Sequence, residues 1–153
     1  MTVKVPSIKK PVKIVQKSPQ TSVARSKAQL PSGDRHTLLA NACGAGDTKC
    51  ICINHAIFKH DSSWATAGVG KRLNNPCNMR VPATWKPSVP FTVYTAKGNG
   101  VFSKFETLED GVTACVELYK RNYSSLPPAK LVSIWTDGGG KGAYTEAVSS
   151  CFI

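Results

Sequence analysis

The sequence has no acidic residue in its first 33 positions. Seven lysines and arginines give this segment a charge of +7, whereas the remaining 120 residues contain 13 bases and nine acids. The segment also has too few large apolar side chains to offset the entropy that it would lose by ordering alone. We therefore expect residues 1–33 to form a basic tail, flexible or extended, and residues 34–153 to form one folded domain.

Long apolar runs are also absent. No segment approaches the roughly 20 apolar residues of a membrane-spanning helix, and the N-terminus lacks the apolar stretch of a signal peptide. Work outside the cytoplasm would then need another route, such as lysis, a secretion machine or a virus particle. The formal net charge of +11 favours an anionic partner: nucleic acid, anionic lipid or an acidic polymer such as a cell wall.

The motifs of several enzyme classes are missing. The glycine-rich run at residues 138–142 lacks the spacing of a phosphate-binding loop, and neither a His-Glu-x-x-His helix nor a Gly-x-Ser-x-Gly elbow occurs. A Cys/His peptidase would need a thiol and an imidazole brought together in space, and nothing local favours that pairing. No cofactor is therefore expected.

Six cysteines are present, an even number that permits disulfides without revealing their pairing. A short loop from Cys43 to either Cys50 or Cys52 is one prediction. A zinc site is an alternative, because His55 and His60 follow, but Cys-x-Cys is not the usual zinc-ligand spacing. Reduced, buried cysteines are the third possibility.

Hydrophobic periodicity predicts an α+β domain that is mostly helical. Residues 34–43 are expected to form a short helix with Asp34 as its N-cap. Residues 49–60 are expected to form a second helix, capped by Asp47 or Thr48. Over residues 62–87 the glycines and prolines predict a loop.

The rest of the domain begins with a predicted hairpin, in which "PFTVYTA" and "GVFSKF" flank the turn "KGNG". Thr107 and Asp110 form the capping-box pattern of a third helix. Two more helices, over "PPAKLVSIW" and "AYTEAVSSCF", are joined by "TDGGGKG", which we expect to be a mobile loop. Ile134 and Trp135 are expected to face the core, and Trp85 and Trp135 are interpreted as core residues rather than sugar platforms.

Asp61 is a candidate general acid. It closes the second predicted helix, and Trp64 follows one turn later. Burial of a carboxyl against an aromatic ring raises its pKa, and a glycosidase needs a protonated acid beside the glycosidic oxygen. The alternative is a solvent-exposed aspartate that merely ends a helix. Glu106 and Glu109 lie at the start of the third helix, where acids complement the helix dipole.

Four segments between roughly residues 50 and 150 carry a resemblance: "HDSSWATAGVGKRLNNPCNMR", "FSKFETLEDGVTACVELYKRNY", "LVSIW" and "AYTEAV". They resemble the virion-associated peptidoglycan-degrading proteins of phages and the murein lytic transglycosylases of the lysozyme-like superfamily. That group has a Glu-Ser pair at a helix end, then Asn-Asn-Pro-Gly-Asn-[Leu/Ile]-Arg, then a Phe-x-x-Phe-x-[Ser/Thr]-x-x-[Glu/Asp]-Gly helix start. The resemblance implies a lysozyme-like fold with a small β-hairpin, preceded here by the basic tail.

The resemblance implies that Asp61 is the general acid that protonates the leaving oxygen. The residues that it assigns to the substrate groove are Ser62, Asn74, Asn75, Asn78, Arg80 and Tyr144. Ser62 would orient the substrate or the carboxyl, and Tyr144 would line the groove from the far side. In a lyase of this type one carboxyl suffices, because a hydroxyl of the sugar itself completes the reaction. No metal is implied.

Two departures from the family pattern stand out. Asp61 replaces the expected glutamate, which withdraws the carboxyl by one methylene. A misplacement of about 1 Å can lower a rate on the order of a hundredfold. Cys77 replaces the glycine of the Pro-Gly-Asn turn, so a positive φ there would be strained, and a disulfide from Cys77 is an alternative way to hold that turn.

We therefore expect a peptidoglycan hydrolase, of the glycosidase or lytic transglycosylase type, that opens the bacterial wall when a phage enters or leaves its host. It would be a virion component acting in the host periplasm or cell wall, and the tail would tether it to capsid or membrane proteins rather than recognise nucleic acid. Two alternatives stay open. One is a murein peptidase that cuts the peptide cross-links, and the other is a non-catalytic virion component with a lysozyme-like fold.

Overall fold

The computed structural model describes residues 30–31, 33–98, 100–136 and 142–152. Over these residues it is an α+β domain with six helices and a two-stranded antiparallel hairpin, which confirms the predicted class. Its helices are α1 (Gly33–Cys43), α2 (Thr48–Ser62), α3 (Gly68–Leu73), α4 (Leu108–Asn122), α5 (Pro128–Trp135) and α6 (Ala143–Ser150), and its strands are β1 (Thr92–Ala96) and β2 (Gly100–Lys104).

Two of the predicted segments fall largely outside the described residues. They are the tail over residues 1–33 and most of the predicted loop "TDGGGKG". Within the part of the chain that the structure describes, no helix combines the length and the apolar character needed to cross a bilayer.

Helix α2 runs through the centre of the core. Its N-cap is Asp47, as predicted, and the Asp47 carboxylate accepts a hydrogen bond from the backbone N–H of Cys50. Nine of its 15 residues are buried, among them Ile53, Ile57 and Phe58 at 0% exposure. The close packing of this buried face fixes the position of α2 and so of the residues at its C-terminal end.

Helix α4 packs beside α1 and α2. Thr107 is its N-cap and accepts from the N–H of Asp110, as the capping-box pattern predicts. Val112, Cys115 and Val116 form its buried stripe. This helix therefore closes the core against α1 and α2.

The hairpin pairs Tyr94 with Phe102 and ends at Ala96 opposite Gly100. The chain before it runs alongside β2, since Arg80 forms a bridge to Phe102 and the N–H of Ser103 donates to the carbonyl of Met79. The hairpin is thus attached to the segment at residues 79–81 and packs on α3 through a small cluster separate from the main core.

All six cysteines form disulfides: Cys43–Cys50, Cys52–Cys151 and Cys77–Cys115. The pairing of Cys43 with Cys50 is one of the two predicted, and the bond from Cys77 to Cys115 joins the turn after Pro76 to α4. The zinc and reduced-thiol interpretations of the cysteines are wrong, because no thiol is left to bind a metal or to pack as a free side chain.

Three local predictions need correction. Residues 62–87 are not all loop, because α3 lies within them; its six residues span too little sequence to show a helical period. Asp34 is not an N-cap, since α1 begins one residue earlier. Ile134 does not face the core, because 45% of its surface is exposed.

We predict that removing Cys77–Cys115 lowers the free energy of unfolding by about 4 kcal/mol and that removing Cys43–Cys50 lowers it by about 2 kcal/mol. The reason is loop length, since the first bond spans 38 residues and the second spans seven. Urea unfolding of the two double Cys→Ser variants measures both losses, and a larger loss for the short loop would contradict this account.

Candidate active site

Asp61 lies in the last turn of α2, and both oxygens of its carboxyl accept hydrogen bonds from other helices. The indole Nε1–H of Trp135, the last residue of α5, donates to Oδ2 over 2.9 Å. The hydroxyl of Tyr144, in the first turn of α6, donates to Oδ1 over 3.1 Å. Three helices therefore meet at this one side chain.

Burial raises the pKa of Asp61 to about 6, from an ordinary value of 3.8. The hydrogen bonds from Trp135 and Tyr144 act in the opposite direction, because both donors stabilise the carboxylate. Burial also raises the pKa of the Tyr144 hydroxyl, so this group remains a neutral donor at all relevant pH values. Asp61 is thus an acid poised to be protonated in mildly acidic solution.

The aromatic residue beside the carboxyl is Trp135, not Trp64 as the sequence spacing suggested. Trp64 turns back into the core, where it is 3% exposed and its Nε1–H donates to Nδ1 of His55 over 3.0 Å. That hydrogen bond needs an unprotonated Nδ1. Burial is the main cause that lowers the pKa of His55 to about 4, so the imidazole remains a neutral acceptor at pH 6.

A tight left-handed turn follows Asp61 and Ser62. Ser63, Trp64 and Ala65 all have positive φ values, of 49°, 59° and 60°. The left-handed conformation costs roughly 1–2 kcal/mol per residue other than glycine. Hydrogen bonds offset part of this strain, including one of 2.8 Å from the Ala65 N–H to Ser62 Oγ. Such strain is typical of sites where the chain must present a particular side chain.

Asp61 lines a cleft of about 770 Å³, together with residues of α3, α4, α5, β2 and the segment at residues 77–85. Its aromatic and apolar wall includes Trp85, Phe102, Tyr123, Ile134 and Trp135. Trp85 and Trp135 pack on the core with one side, as interpreted from the sequence, but they also line the cleft. Among the described residues around the cleft, Asp61 is the one acid.

Two of the residues assigned by resemblance lie at the cleft beside Asp61. Asn78 donates from Nδ2 to the backbone carbonyl of Asp61 over 2.9 Å, which ties the segment after Pro76 to the end of α2. Arg80 is exposed and lines the cleft at the hairpin. Both residues belong to the segment that leads from Pro76 toward the hairpin, which lines the cleft at residues 77–85.

Asn75 and Ser62 do not reach the cleft. Asn75 is 0% exposed; its Nδ2 donates to the carbonyls of Met79 and Ser103, and its Oδ1 accepts from the Met79 N–H. Ser62 is 4% exposed, and its hydroxyl donates to the Pro76 carbonyl over 2.7 Å. Both side chains are committed to holding the turn, so they shape the cleft without contacting a ligand.

Asn74 has a similar structural task. Its Nδ2 donates to the carbonyls of Phe105 and Glu106, and its φ of 52° ends α3 in a left-handed cap. Gly111 allows α4 to approach this cap, because a Cβ at position 111 would collide with the Asn74 carbonyl. The Asp-Gly pair at the start of α4 is therefore explained by close packing of backbone against backbone.

Cys77 does not need the glycine that the family pattern has at its position. The positive φ in this turn belongs to Asn78, at 52°, and asparagine tolerates that conformation well. The expected strain at Cys77 is therefore absent, and the disulfide to Cys115 holds the turn against α4.

The side chain of Tyr144 completes the arrangement from α6. It is 8% exposed, and the exposed imidazole of His60 stacks on its ring at 4.7 Å with an interplanar angle of 15°.

Trp135 is the site residue that sequence reasoning missed. The signal that could have revealed it was the Trp of "LVSIW", which belongs to the resemblance but was interpreted as a core residue and given no role in the site.

The arrangement suits acid catalysis rather than a thiol nucleophile. The six cysteine sulfur atoms are all in disulfides, so a Cys/His pair cannot form. Among the described residues no three His, Cys, Asp or Glu side chains cluster as metal ligands. What the cleft offers is one carboxyl of raised pKa, held by two donors.

Comparison with known proteins gave no match: no family profile, no curated protein and no solved structure is significantly similar to the chain.

We predict that Asp61→Asn stabilises the protein at pH 7.5 by about 1 to 3 kcal/mol. The folded state raises the pKa of Asp61, so between pH 4 and 6 it keeps a proton that the unfolded chain has lost, and the free energy of unfolding falls as the pH rises. At pH 3.5 the carboxyl is protonated in the folded protein, and the gain should shrink toward zero.

Urea unfolding at both pH values measures this effect. Exposed Asp34 provides the control, since Asp34→Asn is expected to change the free energy of unfolding by less than about 0.5 kcal/mol. An Asp61→Asn variant that is less stable than the wild type at pH 7.5 would show that the folded protein does not disfavour the ionised carboxyl.

Proposed function

We propose that this protein is a murein-cleaving glycosidase of the lytic transglycosylase type with a lysozyme-like fold, which opens the bacterial wall when a phage enters or leaves its host. One observation carries the proposal: the Asp61 carboxyl, with a pKa of about 6, lies at a sugar-sized cleft between donors from two helices. The basic chain suits an anionic wall. The tail would tether the protein to capsid or membrane proteins of the particle.

Asp61 would protonate the glycosidic oxygen as the bond to the anomeric carbon breaks. An acid works best when its pKa is near the working pH, because it is then both protonated and able to release its proton. A carboxyl at its ordinary pKa of 3.8 would be ionised in the cell wall, whereas one at about 6 keeps a useful protonated fraction.

The hydrogen bonds indicate which oxygen carries the proton. An indole N–H can only donate, so Oδ2, which faces Trp135, must be the accepting oxygen. The hydroxyl of Tyr144 can donate or accept, so Oδ1 can hold the proton beside it. Trp135 thus orients the acid, and Oδ1 is the oxygen that would carry the proton.

The single carboxyl favours a lyase over a two-acid hydrolase. Glycosidases that use water employ two carboxyls about 5 to 9.5 Å apart, and Asp61 is the one acid among the described residues of the cleft; Asp137 lies outside them. In a lyase the 6-hydroxyl of the same sugar attacks the anomeric carbon. Its proton passes to the Asp61 carboxylate, which restores the acid, and the product is a 1,6-anhydro sugar.

Asp61→Asn is predicted to lower murein cleavage at pH 6 on the order of a hundredfold or more, because general acid catalysis contributes about that factor. The change preserves the shape of the side chain and removes the proton. The measurement is release of soluble fragments from purified murein, with Asp34→Asn as the control that removes a distant carboxyl.

Mass spectrometry of the fragments separates the alternatives. New anhydro sugar ends support the proposal, new reducing ends indicate a hydrolase, and new amino ends indicate a peptidase. A wild-type protein that releases nothing between pH 4 and 8 would instead be a non-catalytic component. Cleavage by Asp61→Asn at the wild-type rate would remove Asp61 from the mechanism.

Trp135→Phe is predicted to move the basic limb of the pH profile of kcat/KM to higher pH. The indole N–H lowers the pKa of Asp61, so its loss leaves burial unopposed on that oxygen and raises the pKa above about 6. An unchanged limb would mean that the limb reports another group. Trp85→Phe, which alters the cleft without touching the carboxyl, is the matched control.

A further inference from the structure

The segment that contains α3 and the hairpin carries charge of only one sign; within it Arg80 lines the cleft, and Arg72 lies on α3, whose Gly68 and Val69 line it. All nine acids of the chain lie outside residues 62–105, whereas this segment contains six bases. They are Lys71, Arg72, Arg80, Lys86, Lys97 and Lys104. A surface of one sign beside a cleft attracts ligands of the opposite sign. We call residues 62–105 the cationic lobe.

Two guanidinium groups of the cationic lobe are held on aromatic rings. Arg80 lies over the ring of Phe102, at 4.7 Å from its centroid, and Arg72 lies over Tyr94 at 5.8 Å. Tyr94 and Phe102 are direct partners across the hairpin, so their side chains share one face. The two guanidinium groups therefore rest on neighbouring rings.

Arg80 is further positioned by Gly100. A side chain at position 100 would occupy the place of the Arg80 guanidinium, so the glycine leaves room for it against the hairpin. Arg80 is exposed and lines the same cleft as Asp61. An arginine already held in place loses less entropy on binding, and its fork matches a carboxylate with two hydrogen bonds.

We propose that Arg72 and Arg80 bind carboxylates carried by the muramyl units of the glycan strand, so that the cleft selects this anionic strand over a neutral polymer of N-acetylglucosamine. The inference rests on the proposed function, since it names the substrate class of that site. The carboxylates have two sources, the lactyl group of the sugar and the attached peptide, and both offer the same chemistry to a guanidinium.

Binding is measured with the full chain carrying Asp61→Asn, so that turnover does not consume the ligand. The probes are uncross-linked murein strands with their peptides, the same strands after an amidase has removed the peptides, and chitohexaose. Adding Arg72→Gln and Arg80→Gln is expected to weaken binding of peptide-bearing strands about tenfold or more and binding of chitohexaose less than about twofold.

The matched control adds Lys49→Gln and Lys130→Gln, which remove the same charge from exposed positions outside the cationic lobe. This control is expected to change each affinity less than about twofold, and the basic tail is common to all variants. If the arginine variant loses affinity for strands with and without peptides, the arginines bind the lactyl carboxylate. If the loss is confined to peptide-bearing strands, they bind the carboxylates of the peptide.

Four results would overturn the proposal. The arginine variant binds peptide-bearing strands as tightly as its parent does. It loses as much affinity for chitohexaose as for murein. The lysine control loses as much affinity for peptide-bearing strands as the arginine variant does. A single-stranded 20-mer DNA that competes with murein as well as murein itself would also overturn it, by identifying a general polyanion surface. Wild-type cleavage of murein is scored separately, so selectivity and catalysis can fail independently.

Discussion

The hydrogen bonds that Trp135 and Tyr144 donate to Asp61 join α5, α6 and α2 at one carboxyl. Burial of this group raises its pKa, and the two donors limit that rise, so the acidity of the site is the balance of two opposing effects. The bond Cys52–Cys151 links α2 to the end of α6 and keeps the Tyr144 side of this arrangement in place. Geometry and acidity are thus set by the same contacts.

The part of the site contributed by residues 74–80 depends on a turn whose side chains mostly do not face the cleft. Asn75 is completely buried and bonds to Met79 and Ser103, while Ser62 bonds to the Pro76 carbonyl. The disulfide from Cys77 anchors the same turn to α4. An asparagine-rich segment beside a candidate acid is therefore explained mainly by backbone positions that need hydrogen-bond partners, and only Asn78 and Arg80 remain for the cleft.

Much of the fold could be predicted because its signals are local. The cap at Thr107 and the hairpin of β1 and β2 each depend on a few neighbouring residues, and both predictions were correct; Asp47 is one of the two caps predicted for α2. Helix α3 was missed because six residues around two glycines give no period. The pairing of Cys77 with Cys115 could not be derived, because sequence spacing does not determine which distant thiols meet.

In the candidate site, too, the features set by local sequence could be predicted and those set by distant packing could not. Asp61 at the end of a buried helix was predictable, but its aromatic neighbour was not. Trp64 follows one turn later in the sequence, yet the left-handed turn sends it back into the core toward His55. Trp135 lies 74 residues away in sequence, and its indole reaches the carboxyl because α5 packs against α6 and α6 packs against α2.

The most direct test of this account is a titration of the Asp61 carboxyl carbon by ¹³C NMR, with its signal assigned by comparison with Asp61→Asn. A midpoint near pH 6 is the predicted result, because burial outweighs the two donors. A midpoint at or below the ordinary 3.8 would contradict the account, since the carboxyl would then be an ionised structural group and could not supply the proton.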